Sequence, residues 1–239
     1  MQLAKYFNGD MYLPVDTYRR GRQVIVLIGM IHVAPAEFYQ RVRHLLEAFD
    51  KADYRILIEG MGRVEGDDFG LREFDRGLLE HYEQLRDRAN LINGMMAGAT
   101  GMVTQLDAFP DWRQWERADL SALEMMRLRG VKPMPPMDER IVAAFADFLA
   151  RPRAQSAVYG FVKLMPRLLA ALWPLHSMLG SLVLHHRNRH AVLKALETPQ
   201  SAVLPWGAAH LPGMGALLRQ NGFELSDRSW VLAYPGRPS

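Results

Sequence analysis

This sequence predicts an α/β fold: a mainly parallel sheet flanked by helices, with a large helical insertion in the middle of the chain. Three observations carry that expectation. Residues 23–28 (QVIVLI) and 55–58 (RILI) are short β-branched runs, and a stretch of helical periodicity lies between them. A third apolar run, 201–204 (SAVL), comes far down the chain. Each run gives way to a glycine within a few residues: Gly29, Gly60 and Gly207. Unbroken apolar runs of this length suit strands buried on both faces, as parallel strands are.

The elements follow in order. After the first run, Pro35 suits a first helical turn. Phe38, Val42, Leu45, Leu46 and Phe49 then recur at helical spacing, which predicts an amphipathic helix over 36–51. Strand, helix and strand together form a βαβ unit with parallel strands. Residues 60–70 read as a glycine-rich acidic loop, 71–97 as helix, and 102–106 as a third strand. Residues 107–117 are an aromatic turn. Ser121 and Glu124 form a capping box that opens a helix to about Arg129. The segment 131–137 (VKPMPPM) is a linker, and 138–150 and 155–197 are helical, broken near Pro166 and Pro174. A helix over 212–221 stops at Gly222, and 229–234 is a last strand. The reading is one domain, 1–239, with its helical insertion at about 107–197.

Composition bounds the chemistry. The chain has 239 residues, 49% hydrophobic and 23% charged, as globular proteins do. It has no cysteine, so disulfides, thiolate metal sites and cysteine nucleophiles are excluded. Any metal would need His, Asp or Glu. The net charge is +3, and acidic residues are interleaved among the 29 basic ones. No basic stripe marks a nucleic-acid surface, so a nucleic-acid partner is not expected. The N-terminus has no apolar core of a secretory signal, which predicts a cytoplasmic location. Residues 168–186 (LLAALWPLHSMLGSLVLHH) carry no Lys, Arg, Asp or Glu, but Pro174, His176, Ser177 and Ser181 interrupt them. Those interruptions favour burial within the monomer or a homo-oligomer over peripheral membrane association.

Polar residues stand where the apolar runs end. The first run leads to Gly29-Met30-Ile31-His32, the second to Glu59-Gly60, and the third to Gly207-Ala208-Ala209-His210. With 19 glycines and eight histidines, two G-x-x-H motifs are unexceptional by count. Their placement after strands carries the weight, because open parallel sheets bind ligands beyond their carboxyl ends. If the strands are neighbours, His32, Glu59 and His210 converge on one crevice. Two histidines and a glutamate can hold a divalent ion such as Zn, Mn or Co with one position left open to water. Glu59 would serve as a ligand or as the general base. Arg187, near a helix start, could clamp a carboxylate or a developing oxyanion.

The segments VLIGMIHVAPAEFY, ILIEGM, RNRHAVLKALE and VLPWGAAHLPGMGALLRQNGF resemble the TraB/GumN family, over roughly 20–62 and 185–235. The paired G-x-x-H motifs with an intervening glutamate are the family's hallmark. This resemblance implies active-site roles for His32, Glu59 and His210, and for Arg187 and Asn188 of the RN element. Through the related Tiki proteins it implies metal-dependent peptidase chemistry.

Rival motifs are weaker. His186 and His190 have zincin spacing, but Arg187 stands where a zincin needs glutamate. There is no Walker lysine motif and no G-x-S-x-G elbow. Gln105 and Asp107 are secondary candidates, and Trp112, Trp115 and Trp206 read as packing. The expectation is a metal-dependent hydrolase for a peptide or small-molecule substrate. The alternatives are a non-catalytic protein that sequesters such a ligand in the same crevice, and a membrane-associated scaffold using 168–184.

Overall fold

The computed structural model describes residues 3–60, 73–129, 139–151, 154, 156–161, 164 and 181–236. It opens with strands β1 (Lys5–Phe7), β2 (Asp10–Arg20) and β3 (Gln23–Met30). Asn8 and Gly9 join the first two at φ 50° and 83°, the positive values that a tight hairpin turn demands. Next come β4 (Val33–Ala34), helix α1 (Ala36–Lys51) and β5 (Arg55–Ile58). The middle of the chain holds the long helix α2 (Glu73–Thr100), β6 (Val103–Thr104), α3 (Gln105–Ala108), a 3-10 turn at Trp112–Gln114 and β7 (Glu116–Arg117). It continues with α4 (Ala122–Arg129), α5 (Glu139–Leu149) and α6 (Ser181–Leu196). The last elements are β8 (Ala202–Gly207), a 3-10 turn at Ala208–His210, α7 (Leu211–Gln220) and β9 (Glu224–Tyr234).

The fold is α/β with a mostly parallel central sheet. Strands β3, β8, β5 and β7 lie side by side and parallel. The antiparallel ribbon of β2 and β9 extends this sheet beside β3. Period-two alternation sends successive β3 side chains to opposite layers. Val26 and Ile28 meet Phe38, Val42 and Leu46 of α1 in one core. Ile25 and Leu27 meet Ala191 and Ala195 of α6 and Met214 and Leu218 of α7 in the other. A smaller cluster packs Leu78 and Tyr82 of α2 on Met125 and Met126 of α4.

Several expectations change. Strands β3 and β5 are parallel but not adjacent, because β8 lies between them. The strand expected at 102–106 shrinks to the two-residue β6, which pairs with β4 in a separate ribbon before the chain turns into α3. The helix expected over 71–97 is present as α2, but β7, inside the stretch read as helical insertion, is a strand of the central sheet. The N-terminal strands β1 and β2 were not expected at all. The capping box is present: Ser121 Oγ accepts the Glu124 N–H at 3.2 Å, and the Glu124 carboxylate accepts the Ser121 N–H at 2.9 Å. Most of 168–184 lies outside the described residues. Among those described, no helix is long and apolar enough to cross a membrane.

One irregularity shapes the site. Pro205 sits inside β8, a central strand, where a proline normally costs a ladder bond. Arg55 N–H donates to the Ser201 carbonyl at 2.9 Å, which sets the phase of the β5–β8 ladder. In that phase residue 205 would donate to the Leu57 carbonyl, and proline has no N–H to give. The Trp206 indole Nε1 donates to Leu57 O instead, at 3.0 Å. One step further, residue 207 would donate to the Glu59 carbonyl. That carbonyl instead accepts from Trp112 Nε1 at 3.1 Å, and the Gly207 N–H turns to the Glu59 carboxylate at 2.6 Å. Two side chains thus replace the ladder at the carboxyl end of the sheet.

Candidate functional site

Four of the five expected site residues meet at that end. Glu59 follows β5, Arg187 and Asn188 lie on α6, and His210 ends the turn after β8. Arg187 is the hub. Its Nε and NH2 grip both oxygens of Asp119 at 2.9 and 2.6 Å, and NH2 also reaches Glu59 Oε1 at 2.8 Å. Its NH1 lies 3.3 Å from His210 Nε2. A guanidinium has five N–H donors, so one on NH1 remains unspent among the described residues. The Trp206 ring lies under the guanidinium carbon at 5.6 Å and edge-on to the His210 ring at 5.2 Å.

The histidine is held from its other side as well. His210 Nδ1 is 2.6 Å from Asn188 Oδ1. That oxygen can only accept, so Nδ1 carries a proton and Nε2 faces Arg187 and Glu59, with Glu59 Oε1 at 3.4 Å. Asn188 is 3% exposed. It fits because residue 213 is glycine: a β-carbon there would collide with its amide nitrogen. Arg187 points inward to Asp119 and Glu59, while Asn188 braces the His210 ring.

Burial and charge set the electrostatics. The Asp119 side chain is fully buried, and those of Arg187 and Glu59 are 12% and 14% exposed. Burial alone would raise the Glu59 pKa. Hydrogen bonding and charge from His210 in its protonated form, the Arg187 charge and the Gly207 N–H outweigh it and hold the carboxyl well below its ordinary range. Burial alone would lower the Arg187 pKa, but Asp119 and Glu59 hold it above its ordinary value. Among the described residues, no buried side-chain polar atom lacks a partner.

His32 stands apart. Gly29 and Met30 pair with Trp206 and Gly207, so His32 emerges at the same sheet edge. Its side chain is exposed, and it makes no hydrogen bond or ion pair among the described residues. The expected metal trio is not assembled. No group of three His, Asp or Glu among the described residues is placed to hold an ion. The donor chemistry gives the reason: both Glu59 oxygens and the His210 Nε2 already face Arg187, Gly207 or each other. A divalent cation there would displace a guanidinium, so the residues as arranged do not fit a metal.

Gln105 and Asp107 serve elsewhere. The Gln105 N–H donates to the His32 carbonyl at 2.8 Å, and Asp107 accepts the Thr104 hydroxyl at 2.7 Å beside the start of α3. Trp112 and Trp115 pack edge-on against each other near Phe109. Sequence reasoning missed Asp119 and Gly213. For Asp119 the faint signal was an acid two residues before the capping-box serine. Nothing in the sequence sets Gly213 apart from an ordinary helix glycine. Compared with known proteins, the chain matches no family model, no curated protein and no solved structure.

Proposed function

We propose that the chain is a hydrolase for a carbonyl substrate, a peptide, amide or ester, bound across the carboxyl ends of β3, β8 and β5. The observation that carries the reading is Arg187: a guanidinium fixed by two carboxylates, nearly buried, with one N–H unspent beside His210. Donors locked in place before the reaction stabilise a developing oxyanion without reorganisation. In this reading the remaining Arg187 N–H meets the oxyanion. His32, exposed at the rim, takes the proton of the attacking water. Asp119 and Glu59 hold Arg187, and Asn188 holds His210. No step passes through a metal ion.

A second reading, a non-catalytic protein that sequesters its ligand, draws support from the same cluster, whose buried polar atoms are all satisfied. Screening ester and peptide-amide libraries with the parent and His32→Ala separates the two. The hydrolase reading expects turnover in the parent, unchanged by chelation, and its loss in the variant. Ligand binding without turnover would establish the sequestering protein. Turnover that appears only on adding Zn, Mn or Co, with metal content lost in His32→Ala, would restore the metal-dependent reading.

A further inference from the structure

We infer that Arg117 is an anion-recognition residue of this crevice, selecting substrates that carry an oxyanion group, a carboxylate or a phosphate. The inference rests on substrate binding at the carboxyl edge of the sheet. Arg117 ends β7 and stands in register with Ile58, the residue before Glu59. It is exposed, and it makes no hydrogen bond, ion pair or ring contact among the described residues. Arg55 is bidentate to Glu116, and Arg228 to Asp16; Arg19 of β2 has no side-chain partner among the described residues either, but it lies opposite Val24 at the other end of the sheet.

Its surroundings suit a ligand. The Arg117 Nε lies 3.8 Å from where a β-carbon on Gly60 would stand, so bare backbone lies beside the guanidinium. Trp112 Nε1 is 3.9 Å from the same point. Arg117 and Arg187 balance Glu59 and Asp119 in charge before either histidine takes a proton. A planar guanidinium open to solvent offers paired N–H groups that match a carboxylate or phosphate edge.

Calorimetric titration of the full chain with inorganic phosphate and with succinate, at constant ionic strength, tests this. At least one probe should bind the parent, and the probe that binds identifies which oxyanion the site takes. Arg117→Gln should weaken that binding by about tenfold, and Arg117→Lys should keep part of it. Arg19→Gln, a change at an exposed residue of β2, should bind as the parent does. Binding of neither probe, or equal binding by parent and Arg117→Gln, overturns the inference. If anion binding falls as expected but no substrate is hydrolysed, the subsite stands and the hydrolase reading fails. If hydrolysis occurs and Arg117→Gln treats carboxylate-bearing and amide-capped substrates as the parent does, the subsite fails and the hydrolase stands.

Discussion

Gly213 on α7 and Asn188 on α6 fit together only because glycine has no β-carbon; a methyl group there would run into the Asn188 amide. Asn188 in turn holds Nδ1 of His210 at 2.6 Å. A helix-packing position thereby controls the orientation of a site imidazole.

Replacing a helical glycine by alanine ordinarily stabilises by up to about 1 kcal/mol. Gly213→Ala should do the reverse and destabilise by about 1–3 kcal/mol, because the buried Asn188 must move. Urea denaturation measures the sign. A gain in stability would show that Asn188 can be displaced freely.

Glu59 makes stability depend on pH. Its carboxyl is held well below its ordinary value of 4.5. Its contribution is therefore complete above that value and is lost as pH falls below it toward the folded-state pKa. The stability difference between parent and Glu59→Gln should be largest near pH 7 and shrink toward about pH 3. A difference that stays constant across that range would mean Glu59 is not held ionised.

Arg187 cannot be exchanged without a structural cost. Arg187→Met leaves Glu59 and the fully buried Asp119 without their cation. It should destabilise by about 3–5 kcal/mol. Arg187→Lys keeps the charge but not the fork that spans Asp119, so it should fall between parent and Met in thermal unfolding. Parent-like melting of the lysine variant would show that charge alone suffices.

His32 should behave in the opposite way. Its side chain is exposed and unpaired among the described residues, so His32→Ala should leave stability within about 0.5 kcal/mol of the parent. Any hydrolytic activity should disappear. Retained activity would remove His32 from the mechanism.

The layers of the fold were legible because burial leaves a plain imprint. The run that forms β3 is apolar at almost every position, and α1 spans 36–51 as its periodicity predicts. The N-terminal hairpin was equally legible in principle, since Asn8-Gly9 is a strong turn signal. It stays hidden because β2 mixes polar and apolar residues and buries Asp16, which needs Arg228 from the far end of the chain. Strand order was not legible. Nothing local in β8 says that it inserts between β3 and β5.

The site followed the same rule. His32, Glu59 and His210 were visible because each closes an apolar run. Asp119 was not, because its importance comes from Arg187, 68 positions away. A proline inside a strand ordinarily argues against a central position, and only the Trp206 indole explains how Pro205 is tolerated.

The insertion of β8 between β3 and β5 bears on synthesis. The ribosome completes β3, α1 and β5 long before residues 202–207 emerge, and β2 must wait longer still for β9. Until then, two apolar strands have open edges facing a gap. Closing the sheet requires contacts between the two ends of the chain, which is the slow kind of folding. A nascent chain arrested before residue 202 should therefore remain protease-sensitive and attract chaperones, and release of the last forty or so residues should make it compact in one step.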